Sequence, residues 1–493
     1  MRRPILWILA AVLALAGCTP KVSVKTTPPV VVAIPRGMAE PVLTGVIYVK
    51  VDDPLKALDA GQARVALVPG KVTDRECAFP YRVDDQILMQ GWLDTPLALS
   101  RGEAVERLRT APQAGSVSPG PGQVARGALT DLQPGWRPVP VDGVTPTPQT
   151  VSSGLYSLGG LVTVVCTGKP DGVVAQLRAK VPEPQPWITL NVTGDFMLAR
   201  GVARAIREKG ALYPIEKVSR HLSAADLTFT NLESPIGVKG RALPGKQIWF
   251  RAAPEAMEIL KAAGVDGVTV ANNHILDYDS ENFLETLDLL KQGGIKYVGG
   301  GRDLAEARKP MVLEAKGIRV AFVGYSEFAD LFFDWDYPRT FHATDKLPGV
   351  PRIQDDWLAE DIKAARSQAD VVAVVFHWGL EFVNYPTEEQ RRIAHRSIDL
   401  GADLVLGYHP HAIQGFELYK GKFIAYSTGN FIMDRQDTDL ARESMILDFL
   451  VSKEGVRSVS VLPVWIAAEQ PYIMTGAEGE KLLQKMRTIS GWK

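Results

Sequence analysis

Short apolar runs recur along the second half of the chain, and five of them break off sharply into polar residues. Residues 188–193 lead into Gly194-Asp195, 227–230 into Asn231-Leu232-Glu233, 267–271 into Asn272-Asn273-His274, 371–376 into His377-Trp378-Gly379, and 404–407 into Tyr408-His409-Pro410-His411. Apolar runs of this length read as buried strands. Residues 200–209, 254–263, 280–292 and 388–400 between them read as helices, with Phe283, Leu287 and Leu290 on one face. Further apolar runs at 318–325, 423–427, 445–451 and 456–464 predict more strands. Alternating strand and helix from Trp187 to about 480 predicts an α/β domain with a mostly buried sheet. Ligands in open α/β sheets gather at the carboxyl ends of strands, where all five polar motifs fall.

The first half has a different texture. Residues 45–51 and 63–69 read as strands, 54–60 and 101–110 as helices, and 162–166 as another strand, while 111–150 is dense in Pro and Gly. We read 40–183 as a smaller N-terminal α/β domain. Residues 97–108 faintly resemble solute-binding-protein domains, and a lipoprotein-specific scaffold is the equal alternative. Val181-Pro182-Glu183-Pro184-Gln185-Pro186 denies both helix and central strand and marks a linker. The 187–480 domain follows it. A length of 493 residues suits two domains.

At the N-terminus, Arg2 and Arg3 precede an apolar run from Ile5 to Ala16, ending in Leu15-Ala16-Gly17-Cys18. A charged start, a short apolar stretch and small residues before cysteine describe a targeting segment. It resembles a bacterial lipoprotein signal, with residues 1–17 removed and Cys18 lipidated. Residues 18–39, rich in Pro, Val, Lys and Thr, then read as a flexible tether. The expected location is the cell envelope, outside the cytoplasm and anchored to a membrane by lipid. There Cys77 and Cys166 are expected either to form a disulfide or to stay as two buried thiols. A net charge of −1 gives no sign of a nucleic-acid partner.

The strand-end motifs supply metal-type donors. Asp195 follows a glycine that allows close approach to a cation, or else caps the next helix. Glu233 is a second carboxylate. Two amides and an imidazole at 272–274 would be costly to bury unpaired. Asp277 either orients His274 or caps the following helix. Glu381 lies just beyond His377. His409 and His411 share a face in an extended segment, and paired histidines suit a transition metal. His221, His342 and His395 lack such company and read as structural.

Gly194-Asp195-Phe196-Met197-Leu198, Asn231-Leu232-Glu233, Asn272-Asn273-His274 with Asp277, His377-Trp378-Gly379, His409-Pro410-His411 and residues 426–431 resemble the CapA family of poly-γ-glutamate capsule synthesis proteins. The resemblance covers about 187–435. It implies a calcineurin-like metallophosphoesterase fold, a four-layer α/β/β/α sandwich, with one or two divalent ions (Mn, Zn or Fe). Asp195 and His411 would serve the first ion, Asn273, His377 and His409 the second, and Glu233 would bridge. His274 resembles the imidazole that protonates the leaving oxygen. Asn272, Glu381, Asn430 and Arg251 are expected to contact substrate, with Lys246 a further cation for an anionic one. Phosphoesterases usually carry His where this chain has Met197, and a thioether is a poor ligand for a hard cation. The implied activity is metal-dependent hydrolysis in the synthesis of a capsule or another anionic surface polymer, beside membrane proteins of that pathway. The alternative is a polymer-binding subunit without catalysis. In a third reading, the first domain is a solute sensor that regulates the second.

Overall fold

The computed structural model describes residues 30–36, 46–69, 78–82, 86–91, 93–94, 97–118, 123–142, 144–152, 156, 158, 162–166, 172–179 and 185–491. They divide into two compact units, one from Met1–Arg82 and Leu161–Pro182, the other from Val83–Gly160 and Glu183–Lys493.

The smaller unit is a five-stranded sheet in the order Val46–Val51, Val30–Pro35, Val65–Pro69, Val162–Cys166, Phe79–Arg82. Val30–Pro35 pairs in parallel with both of its neighbours. Helix Pro54–Asp59 begins with Pro54, and Asp53 accepts from Lys56 N at 3.0 Å, a normal N-terminal cap. Leu58 of this helix packs with Ala33 and Ala66. On the other face, Val173, Val174 and Leu177 of helix Gly172–Ala179 pack with Val32, Ile34, Val65 and Leu67. Val30–Pro35 therefore corrects that part of the expected tether over 18–39, while 18–29 and 37–39 lie outside the described residues. Its β-branched apolar run buries itself as an inner strand, which a solvated linker would not do. Cys166 is disulfide-bonded. Its expected partner Cys77 lies outside the described residues, as do Cys18 and the signal segment.

The larger unit holds two packed sheets. One has the order Lys296–Val298, Gly267–Thr269, Leu227–Leu232, Ile188–Phe196, Glu443–Ser452, Gly455–Ala467, Gln470–Ile473, with Asn430–Ile432 also pairing with Ile188–Phe196. The other has the order Met311–Ala315, Ile318–Ser326, Val371–His377, Leu404–Tyr408, Lys422–Ala425, Phe416–Tyr419. Leu190, Val192 and Phe229 face Val320, Phe322, Ala373 and Val375 across the interior, where Phe229 and Phe322 stack at 4.3 Å. The outer face of the first sheet is covered by helices Arg200–Lys209, Ala256–Ala262 and Asp279–Gln292. Helices Asp355–Arg366 and Glu388–Asp399 cover the second. The result is the expected α/β/β/α sandwich. With both sheet faces covered, the inner strands are buried along nearly their whole length, those of the second sheet as near-continuous apolar runs.

The division at 83–160 differs from the expected domain over 40–183. Strands Gln86–Gly91, Val124–Ala128 and Trp136–Pro138 form a small antiparallel sheet that belongs to the larger unit. Trp136 shares a core with Trp187 and Leu450. Ser458 Oγ donates to the Trp136 carbonyl at 2.9 Å, and Arg487 bonds Asp94 Oδ1 at 3.0 Å. The segment is an insertion between Phe79–Arg82 and Val162–Cys166. Contacts with distant sequence, invisible to local pattern, decide where it belongs.

The stacked pair between the sheets gives a direct test. Phe229→Ala should cost about 3–5 kcal/mol of stability, while Trp335→Ala, at a position 85% exposed, should stay within about 0.5 kcal/mol. Thermal or urea unfolding of both variants checks this.

Candidate metal centre

Parallel strands of both sheets end at one edge of the sandwich, and their last residues meet there. Asp195 ends Ile188–Phe196 and sits opposite Asn430 in register. This approach needs Gly194, because a Cβ there would lie 2.2 Å from the Gly429 carbonyl. Glu233 follows Leu227–Leu232, and His377 ends Val371–His377. His409 and His411 follow Leu404–Tyr408 with φ of 97° and 52°. Positive φ is costly for residues with a side chain and clusters at functional sites. Phe382 N–H pins this turn by donating to the Pro410 carbonyl at 2.7 Å.

Glu233 lies between two groups of donors. Its Oε1 is 3.7 Å from His377 Nε2 and 3.6 Å from His411 Nε2. On one side, His377 Nε2 is 3.2 Å from His409 Nδ1 and 2.9 Å from Asn273 Oδ1. On the other, His411 Nδ1 is 3.6 Å from Asp195 Oδ2. Donor atoms of Glu233, His409 and His411 all fall within 4.8 Å of one another. Asp195 and Glu233 are fully buried. Asp195 Oδ2 and both oxygens of Glu233 have no hydrogen-bond partner among the described residues. Buried polar atoms are normally paired, so three orphaned carboxylate oxygens among imidazoles fit a cation.

The electrostatics agree. Burial raises Asp195 to about 6, opposed by the nearby His411 and the Asn231 hydrogen bond. Burial, reinforced by Asp195, raises Glu233 well above the usual glutamate range. Burial holds His377 and His409 well below the usual histidine range, with neighbouring imidazoles adding to the effect. These two imidazoles, His377 and His409, are thus neutral and present lone pairs, the form that ligates metal.

His274 and Asp277 form an adjoining group. Asp277 Oδ2 lies 2.8 Å from His274 Nδ1, and Phe250 stacks on the imidazole at 3.9 Å. Burial lowers His274 to about 4. Lys246 is buried and ion-paired to Asp277, so it is no free cation for an incoming anion.

Three expected substrate contacts are placed otherwise. Asn272 is buried with its amide spent on Asn231 Oδ1 and the Leu232 carbonyl, and its Oδ1 accepts from His274 N and Ile275 N. Asn430 is buried, donates to the Ala441 carbonyl at 2.9 Å, and holds His411 Nδ1 through Oδ1 at 2.9 Å. Both build the site rather than face substrate. Arg251 bonds the Val238 and Lys239 carbonyls and lies over Tyr278 at 3.9 Å, within its own loop region. Glu381 is exposed and close enough to Glu233 to help raise it.

Asn231 and Phe328 are site residues to which the sequence reading gave no role. Asn231 donates to Asp195 Oδ1 at 2.8 Å, and Phe328 covers His409 at 4.1 Å. The Asn231-Leu232-Glu233 motif held the signal for Asn231, whose side chain follows the same strand to the same edge. Met197 turns away into the helix-side core, where its sulfur accepts from Ala199 N at 3.2 Å. His221 pairs with Asp448 and His395 with Glu417, and His342 stacks on Trp357, apart from the centre.

Two opposed pH dependences follow for the metal-free protein. The folded state raises Asp195 from its ordinary value near 4 to about 6. It then binds more protons than the unfolded chain, and this group's contribution to stability falls as pH rises through that window. His274, lowered to about 4, contributes stability above about pH 6.5 that is lost as pH falls toward 4. Metal-free Asp195→Asn should therefore melt a few degrees above wild type at pH 7.5, with the gap closing near pH 4. Melting curves in chelator would show this, and a lower melting temperature at pH 7.5 would contradict it.

The chain has recognisable relatives. It is 31% identical over 297 residues to the capsule biosynthesis protein CapA of Bacillus anthracis, covering 59% of this chain and 70% of that one. It is 29% identical over 300 residues to the PGA biosynthesis protein CapA of Bacillus subtilis, covering 60% and 77%. Haemophilus influenzae NAD nucleotidase superposes with a TM-score of 0.34 at 12% identity over 62% of this chain and 56% of that one, too loosely to carry the fold, which rests on the sheet order and layers above. The sequence profile of the bacterial capsule synthesis protein PGA_cap matches residues 189–435. The match spans the stretch from the strand that carries Asp195 past the one that carries Asn430, and the chain belongs to the PGA_cap family of bacterial capsule synthesis proteins.

Proposed function

We propose that this protein acts in the synthesis of a capsule or related cell-surface polymer, of the poly-γ-glutamate kind, as a metal-dependent hydrolase. Family membership supports the polymer context. The observation that carries the hydrolase reading is the set of three unpartnered, fully buried carboxylate oxygens beside the imidazoles of His377, His409 and His411, the first two held neutral by burial. Asp195, Glu233 and His411 would hold one divalent ion, and Glu233 with Asn273, His377 and His409 the other. When bound, such an ion supplies Lewis acidity toward an ester or amide oxygen and makes water a better nucleophile. Asp277 holds His274 at Nδ1, 2.8 Å away, so that Nε2 would take up a proton from the attacking water and pass it to a leaving group. Phe328 shields His409 from water on one side. The Cys18 motif supports lipid anchoring outside the cytoplasm. Among the described residues, no helix is long and apolar enough to cross a membrane.

A polymer-binding subunit without turnover is the second reading. Met197, turned into the core, favours it by leaving the Asp195 side short of donors.

Elemental mass spectrometry of the chain from residue 19 tests the first reading, with His409→Ala plus His411→Ala as control. One or two equivalents of Mn, Zn or Fe should be present and lost in the double variant. His274→Ala should keep the metal and lower kcat on a model phosphodiester by about 10²–10⁴. Metal without turnover on phosphoesters or γ-glutamyl amides would favour the binding subunit. Absence of metal after reconstitution would end the hydrolase reading.

A further inference from the structure

Lys246 is a long cationic side chain only 7% exposed, and buried lysines need a reason. It sits between the rings of Phe333 and Phe341, at 5.2 and 5.1 Å. Its Nζ donates to Asp277 Oδ1 and to the Asn273 carbonyl, and it lies 3.4 Å from His274 Nδ1. Asp277 is fully buried. Its other oxygen accepts from Phe250 N at 2.6 Å and faces His274 Nδ1 at 2.8 Å.

This arrangement leaves the imidazole little choice. A carboxylate with an ammonium on one oxygen and a backbone N–H on the other is held as an acceptor. The ring nitrogen 2.8 Å from it must then donate, which puts the proton of neutral His274 on Nδ1 and leaves Nε2 as an open lone pair. The direction of that Nδ1–H is taken by Asp277, so the 3.4 Å approach of Lys246 is not a hydrogen bond to the ring. Phe250 stacked on one face fixes the ring plane. We propose that Lys246 is a positioning residue, which by clamping Asp277 and the Asn273 carbonyl together sets both the tautomer and the orientation of His274. This rests on the hydrolytic reading only in giving His274 a substrate to act on.

Nuclear magnetic resonance of ¹⁵N-histidine protein reads the tautomer without any turnover. Wild-type His274 should carry its proton on Nδ1. Lys246→Met alone leaves Asp277 buried without its counter-charge and risks misfolding. Lys246→Met with Asp277→Asn removes both charges at nearly constant shape. This double variant should keep its metal content and its melting temperature within a few degrees. The His274 signals should move to a mixture of tautomers. The kcat should fall about 10–100-fold, as expected of a misplaced reacting group, with KM unchanged. A wild-type proton on Nε2, or a double variant retaining both the Nδ1–H signature and the wild-type kcat, would overturn the role of Lys246. If the wild type turns over no substrate, the hydrolytic reading fails separately, and the tautomer comparison still decides.

Discussion

Two buried carboxylates, with one unpaired oxygen on Asp195 and two on Glu233, are what the rest of this structure has to accommodate. Asp195 and Glu233 sit at adjacent strand ends with no solvent access and three unpaired oxygens. In a low-dielectric interior such groups cost several kcal/mol unless they are protonated or paired. The surrounding side chains relieve little of that cost. Asn231 pairs one Asp195 oxygen, and burial holds the imidazoles of His377 and His409 neutral. A fold that keeps this arrangement is stabilised elsewhere, by the apolar layer between the sheets and by two helix-covered outer faces.

The same constraint explains the local backbone. Bringing Asn430 against Asp195 requires the bare Gly194 backbone. Bringing two imidazoles to one carboxylate requires the turn at His409-Pro410-His411, with positive φ at both histidines. Both features lie at the ends of strands that carry donors to the site. They follow from aiming donors at Glu233, and the asparagines at 231, 272 and 430 satisfy the backbone and side-chain groups that this aiming disturbs.

What the sequence made legible follows from one physical regularity. Buried strands are rich in apolar residues, so the polar motif at which a run stops marks the sheet edge, where the structure gathers Asp195, Glu233, Asn273, His377, His409 and His411, while the ligand role of each came from family resemblance. Layer order came from family resemblance rather than from periodicity. The misread parts depend on contacts between distant segments. Val30–Pro35 looked like tether because its parallel partners lie 16 and more residues away. Residues 83–160 looked continuous with their sequence neighbours, yet Trp136 packs with Trp187 and Leu450. Asn272, Asn430 and Arg251 looked available to substrate because hydrogen-bond capacity is visible in a sequence and its use is not.

Met197, two residues after Asp195, contributes no donor to the Asp195 side. The thioether instead joins a core of Leu198, Val202 and Leu232 and accepts from Ala199 N. The two sides of Glu233 are then unequal. One has His377 Nε2, 3.2 Å from His409 Nδ1 and 2.9 Å from the Asn273 oxygen, and the other has Asp195 and His411, 3.6 Å apart. Nitrogen donors dominate the first side, and a single carboxylate carries most of the second. An ion held at the His377–His409 side would meet mostly nitrogen donors, and one held beside Asp195 mostly oxygen. That asymmetry arises from where one sulfur packs, on the far side of the strand from the chemistry.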